Sequence, residues 1–196
     1  MSDGLDAAVK ALVAGQVVAI PTDTVYGLAA DAFHTGAGDR LFVVKRRPRD
    51  VDLPVLVASE EQALALATGV PDAARRLMAR YWPGALTLVL PRNPDVVADL
   101  GDDEATIGLR CPDHDVPLEL CRRVGPLATT SANLHGQPTA TSAEEVRALF
   151  GPAVPVVVDG GTCAGSPSTV VDCTGAEPKL LRLGRIPWDE IADTVL

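Results

Sequence analysis

Four groups of residues in this 196-residue chain have types and spacing that could do chemistry, and all four point to binding and charge neutralisation. The stretch "VKRRPR" puts Lys45, Arg46, Arg47 and Arg49 into five positions of a chain whose formal net charge is -9. Two other stretches crowd hydroxyls and amides after apolar runs. "PTDTVYGL" carries Thr22, Asp23, Thr24 and Tyr26, and "TTSANLHGQPTATS" carries Ser131, Asn133 and Thr141. Arg110 and Arg182 stand inside the apolar runs "TIGLRC" and "KLLRLG". An arginine in a core strand must be paired or must face a cleft, and its fork suits carboxylates and phosphates. Together these residues imply a polar, cationic cleft for an anionic small molecule at the ends of strands. The plainer alternatives are structural salt bridges for the arginines and turn-and-cap duty for the hydroxyls.

Other chemistries are poorly supplied. Ser131 lies in no G-x-S-x-G elbow, and His34, His114 and His135 have no signature tying them to a serine or cysteine. His114 in "CPDHD" reads either as a metal ligand or as a polar turn starting a helix; the lack of any other ligand spacing favours the turn. "DGGTCAGSPS" is glycine-rich without the Gly-Lys-Ser/Thr ending of a phosphate loop, and reads as hairpin turns. Cys111, Cys121, Cys163 and Cys173 form no C-x-x-C pair, so reduced thiols and a cytoplasmic location are expected. No apolar run approaches the ~20 residues of a membrane helix. The acidic N-terminal stretch reads as a first helix rather than a signal peptide. The negative net charge disfavours broad binding to nucleic acid, which draws on many phosphate contacts.

The elements that must position these residues alternate. Helical spacing runs over 5–14, over "GDRLFVVKRR" up to Pro48, over 60–67 and 72–81, near 116–123, and from Ser142, with Glu145 as box partner, to Gly151. A last helix starts near Pro187. Apolar runs that read as strands are 17–21, "LPVLVAS", "ALTLVLP" over 85–91, "TIGLRC", "PLATT", "VPVVVDGG", "STVVDC" and "KLLRLG", with a Pro-, Asn- and Asp-rich loop over 91–104. This predicts a single α/β domain (of α+β type) over residues 1–196: three layers, with helices packed on a twisted mixed sheet of about seven strands.

Seven blocks, "PTDTVYGLAADA", "VKRRP" with "LPVLVAS", "YWPGALTLVL", "TIGLRCPDH", "TTSANLHGQPT", "STVVDCTG" and "LLRLGRI", stand in an order that resembles the threonylcarbamoyl-AMP synthases, the YrdC-like family, in its short single-domain form. The resemblance covers about residues 5 to 186 and implies a concave cationic cleft. It implies a reaction of L-threonine, bicarbonate and ATP, with magnesium on the nucleotide, giving threonylcarbamoyl-AMP and pyrophosphate. A partner complex would then carry the threonylcarbamoyl group to tRNA, with weak or no direct nucleic-acid binding by this chain and no membrane. By resemblance Lys45, Arg47, Ser131 and Asn133 form the active-site set. Lys45 and Arg47 would hold the ATP phosphates, with Thr106, Asn133, Thr141 and Arg182 also on the nucleotide side. Thr24, Arg110, Ser131 and Ser168 would hold threonine. One departure stands out: where the family pattern has a second lysine and a proline, this chain has Val51 and Asp52. Arg46 or Arg49 would then stand in for the lost base. The competing readings are an RNA-binding module without catalysis and a paralogue acting on another small molecule.

Overall fold

A computed structural model describes residues 2–134 and 136–195; His135 lies outside them. The described residues build one mixed sheet of nine strands in the order β7-β1-β2-β6-β3-β5-β4-β8-β9. In chain order these are β1 (Val18–Ile20), β2 (Gly27–Asp31), β3 (Val55–Leu56), β4 (Leu86–Pro91), β5 (Thr106–Arg110), β6 (Leu127–Ser131), β7 (Val156–Val157), β8 (Thr169–Asp172) and β9 (Lys179–Arg182). Seven helices accompany them: α1 (Ser2–Val13), α2 (Ala37–Lys45), α3 (Glu60–Leu66), α4 (Asp72–Tyr81), α5 (Asp115–Arg123), α6 (Ala143–Phe150) and α7 (Trp188–Val195).

Against the expected count of about seven, all eight apolar runs form strands, and a ninth strand arises where no run was read. "GLAAD" lacks the β-branched and aromatic residues that mark strands, yet it forms β2, antiparallel to both β1 and β6 in the interior of the sheet. Its first four residues are buried, so tertiary packing overrides propensity. The glycine-rich segment is not a hairpin either. β7 and β8 lie toward opposite edges of the sheet, so residues 158–168 cross from one side to the other.

Strand side chains alternate between faces, and that alternation explains the cleft. One face is covered along its length: Ala19, Leu28, Ala30, Val55, Leu86, Leu88, Leu90, Ile107, Leu109 and Val171 pack with apolar residues of α2, α3, α4, α6 and α7. On the opposite face Val18, Ile20, Ala29, Leu56 and Leu127 meet Ala8, Ala11 and Leu12 of α1 and Val116 and Leu120 of α5. Those two helices cover the β7-β1-β2-β6-β3 half. The β5-β4-β8-β9 half stays open, and the intervening positions Thr87, Val89, Thr106, Gly108, Arg110 and Val170 line the resulting hollow. The sheet therefore has three layers over one half and two over the other.

Local signals set the helix ends. Ser59 and Ser142 accept hydrogen bonds from Gln62 N and Glu145 N, three residues on. His114 is an N-cap, its Nδ1 accepting from Val116 N at 3.1 Å, so the "CPDHD" histidine is the start of a helix. Helix α2 ends at Lys45, earlier than Pro48 required, because Arg46 adopts the left-handed conformation (φ 55°, ψ 41°). Arg46 N and Arg47 N then bond back to Val43 O and Phe42 O, offsetting the roughly 1–2 kcal/mol that a side chain costs in that region. Burial pushes the Cys111 and Cys173 thiols up to about 11 and Cys121 up to about 12, so all three are protonated at neutral pH.

Candidate active site

The hollow has a volume of about 670 Å³, within the usual range for small-molecule sites. It lies across the open sheet face rather than only at strand ends, and it gathers seven of the ten residues singled out from the sequence. Thr24, Arg47, Thr106, Arg110, Ser131, Ser168 and Arg182 line it; Lys45, Asn133 and Thr141 do not.

Arg110 projects from the last position of β5 and is 6% exposed. Its Nε donates to Gly84 O at 3.0 Å, Nη1 to Thr24 Oγ1 at 3.0 Å and Nη2 to Asp23 Oδ1 at 2.5 Å. Burial pulls the guanidinium below its usual range and Asp23 pulls it back. Both alternatives raised by the sequence hold at once, since Arg110 is paired and faces a cleft. Hydroxyls surround it: Thr24 Oγ1 lies 2.9 Å from Thr22 Oγ1, and Thr87 Oγ1 lies 2.9 Å from Ser168 Oγ.

Arg47 and Arg182 also line the hollow. Arg47 Nε donates to Val51 O at 2.6 Å and Nη2 to Asp52 O at 3.0 Å. The residues that replace the family's Lys-Pro thus hold Arg47 through backbone carbonyls, which do not depend on their side chains. Partial burial lowers the Arg47 value, with Asp52 opposing. Arg182 on β9 donates from Nη2 to Ser168 O and Oγ at 2.9 and 3.0 Å. Thr106 gives its hydroxyl to Asp103 Oδ2.

Behind this wall, Lys45 is 2% exposed. Its Nζ donates to Ser131 O at 2.6 Å, Ser131 Oγ at 3.0 Å and Asn133 Oδ1 at 2.5 Å. Burial, with Arg47 adding to it, lowers the ammonium from 10.5 to about 8. Of the resemblance-based set, Lys45, Ser131 and Asn133 are therefore in contact, and Arg47 Nη1 lies 3.5 Å from Thr130 Oγ1 next to Ser131; the ammonium is turned toward Ser131 and Asn133. Thr141 caps the approach to α6, its N and Oγ1 donating to Glu145 Oε2. Arg49, one candidate stand-in for the missing lysine, does not line the hollow. It pairs with Asp39, Asp99 and Asp102 and lies over the Phe42 ring, which clamps the 46–52 loop. Arg46 is exposed at the helix end.

Sequence reasoning missed Asp23 as the counter-charge of Arg110, Thr87 as a lining hydroxyl, and Tyr26 as an anchor. Thr87 was the legible one, a polar residue in the alternation of "ALTLVLP". Tyr26 is fully buried; its hydroxyl donates to Gly161 O and accepts from Gly160 N, tying the crossing segment to the 22–26 turn. That segment also bonds from Gly165 N to Thr24 O and from Cys163 N to Thr141 O.

Comparison with known proteins fits this geometry. A family model described as telomere recombination, for Sua5, YciO and YrdC, matches residues 10–184. A Mycobacterium tuberculosis protein carrying the provisional name of a threonylcarbamoyl-AMP synthase is 45% identical over 197 residues, covering 99% of this chain and 90% of its own. The Pyrococcus abyssi threonylcarbamoyl-AMP synthase is 42% identical over 183 residues, which cover 92% of this chain and 54% of that longer protein. The crystal structure of P. abyssi Sua5 complexed with L-threonine superposes with a TM-score of 0.93 at 39% identity, covering 97% of this chain and 57% of that one. The chain belongs to the Sua5/YciO/YrdC family.

Proposed function

We propose that the chain is a threonylcarbamoyl-AMP synthase, which joins L-threonine, bicarbonate and ATP and releases pyrophosphate. The observation that carries this reading is the convergence of three arginines and several hydroxyls on one open sheet face. Arg110, counter-charged by Asp23 and beside Thr24, and Arg47 and Arg182, held largely by backbone carbonyls, all face that one hollow. Arg110 and its hydroxyls suit an amino acid's carboxylate and side-chain hydroxyl; the other two arginines suit a polyphosphate.

The reaction needs no enzyme nucleophile. The carbamate of threonine is itself the nucleophile toward the α-phosphorus, so the protein's work is alignment and neutralisation of crowded negative charge. In this reading Arg110 takes the threonine carboxylate, with Thr24, Ser131 and Ser168 around the amine and hydroxyl. Arg47 and Arg182 take the phosphates, with Thr106 beside them, and magnesium arrives on the polyphosphate. Asn133 and Thr141 act on the nucleotide side by holding Gln137 O and the start of α6. The adenylate then passes to a complex that modifies tRNA, which places the protein in the cytoplasm. Among the described residues no helix is long and apolar enough to cross a membrane.

Direct tRNA binding by this chain is weak in this account, because the net charge is -9 and several surface arginines are already matched with acids. Arg49 meets Asp39, Arg122 meets Glu119, Arg123 meets Asp6 and Arg147 meets Asp159.

Pyrophosphate release that requires threonine, bicarbonate and ATP together tests the reading; release indifferent to threonine contradicts it. A companion expectation concerns Arg49. Arg49→Ala should leave the KM for ATP within about twofold and lower stability by no more than about 1 kcal/mol, as for exposed ion pairs. A tenfold rise in that KM would put Arg49 on the nucleotide after all.

A further inference from the structure

Lys45 is the anomaly of this site. It is 2% exposed, and among the described residues it forms no ion pair with a carboxylate. All three hydrogen-bond partners of its Nζ are neutral: Ser131 O and Oγ at the end of β6, and Asn133 Oδ1 two residues beyond it. Acids on the elements packed against it are engaged elsewhere: Asp39 of α2 with Arg49, and Asp31 of β2 with Phe33 N. The charged group that acts on it is Arg47, which repels it. A buried ammonium without a counter-charge sheds its proton more readily than an exposed one.

The hydrogen-bond directions around it are determined. Asn133 Nδ2 donates to Gln137 O at 2.6 Å, so Oδ1 faces Lys45 and Ser131. Ser131 Oγ accepts from Lys45 at 3.0 Å and gives its proton to Asn133 Oδ1 at 2.7 Å. One lone pair of Oγ remains, and Ser131 lines the cleft while Lys45 and Asn133 do not. The cleft therefore meets an oxygen that can accept a hydrogen bond but has no proton left to offer a phosphate.

We propose that Lys45, acting through Ser131 Oγ, receives the proton that the substrate's amino group must lose to take up carbon; this rests on the synthase reading above. Joining R–NH3+ and HCO3− gives R–NH–CO2−, water and one surplus proton. The N–C bond forms and a C–O bond of bicarbonate breaks. Of the two protons leaving nitrogen, one departs in that water. The other passes to Ser131 Oγ as the serine proton moves to the lone pair of neutral Lys45. The ammonium so formed makes the contacts seen here and stands beside the new carbamate. Burial brings the Lys45 ammonium to about 8, so its base form is accessible near neutrality. Below that value the protonated form dominates and the rate should fall about tenfold per pH unit; above it the rate should level off.

The chain has three lysines, Lys10, Lys45 and Lys179, and the other two are exposed. The titration of Lys45 can therefore be read by 13Cε/15Nζ NMR of lysine-labelled protein, assigned with Lys45→Arg. The kcat/KM for threonine, measured by pyrophosphate release across pH, should bend at the NMR midpoint. Lys45→Met should lose about 10²–10⁴-fold in rate and lose the bend, while calorimetric L-threonine binding stays within threefold. Ser131→Ala, with Lys45 intact, should also lose the bend, which keeps the test open if Lys45→Met folds poorly. A bend that survives in either variant, or a Lys45 midpoint at the ordinary 10.5, overturns the proposal while leaving the synthase reading intact. A wild-type protein with no threonine-dependent release overturns both.

Discussion

Replacing Asp23 with alanine should lower the unfolding free energy by about 3–5 kcal/mol, the usual cost of stripping one partner from a buried ion pair. For a chain of this size that is a fall of about 10 °C in melting temperature. The side chains of Arg110 and Asp23 are 8% and 9% exposed, so a charge left without its partner stays largely desolvated. Arg110→Met should cost a similar amount by leaving the carboxylate alone. The double variant should be more stable than the sum of the two predicts, with a coupling of about 1–3 kcal/mol. Single effects that simply add, within about 0.5 kcal/mol, would show that the pair is not a unit. Both single variants should also lose measurable L-threonine binding, Arg110→Met by removing the fork and Asp23→Ala by releasing it from its alignment. Thermal unfolding and calorimetry on the same four proteins settle both points.

A single methyl group outside the cleft should do comparable damage to nucleotide binding. A Cβ on Gly184 would lie 2.3 Å from Ser168 C, 2.4 Å from Pro167 O and 2.5 Å from Ser168 O. These are backbone atoms, so the clash cannot be relieved by a side-chain swing. Gly184 N also bonds to Thr169 Oγ1, and Arg185 Nη1 reaches Asp23 O, so the whole segment is pinned where the methyl would intrude. Gly184→Ala should therefore push β9 from β8 beside the irregular register between Val170 and Val171. It would break the Arg182 contacts with Ser168 and cost about 1–3 kcal/mol as overpacking. The KM for ATP should rise at least tenfold in steady-state assays, whereas Gly175→Ala, whose Cβ would meet nothing nearer than 3.9 Å, should behave as wild type. Unchanged ATP kinetics in Gly184→Ala would remove the β9 wall from the site.

What could be read from the chain beforehand follows the range of the forces involved. Helix ends set by local signals, such as Ser142 with Glu145 and the turn at His114, were legible because the partners lie within three residues. The strand "ALTLVLP" was legible from its alternation, and with it the face that Thr87 must take. β2 was not, because "GLAAD" becomes a strand only by pairing with β1 and β6. Nor did the spacing of "KRRPR" reveal which bases face the cleft. The left-handed turn at Arg46 sends Lys45 inward, Arg47 to the hollow and Arg49 to three aspartates. The Asp23–Arg110 pair joins residues 87 apart, a distance at which composition and periodicity carry no information. Of the set that the family resemblance names, Lys45, Ser131 and Asn133 meet in hydrogen bonds and Arg47 reaches the neighbouring Thr130; the directions of those bonds came only from the folded chain.

The central claim, that one open sheet face joins threonine, bicarbonate and ATP, is tested most directly with 13C-bicarbonate. The protein is incubated with L-threonine and magnesium ATP, and the adenylate product is weighed by mass spectrometry. The expected product is threonylcarbamoyl-AMP carrying the 13C label, formed together with pyrophosphate. An unlabelled threonyl-AMP, or pyrophosphate released with no labelled adenylate, would contradict it.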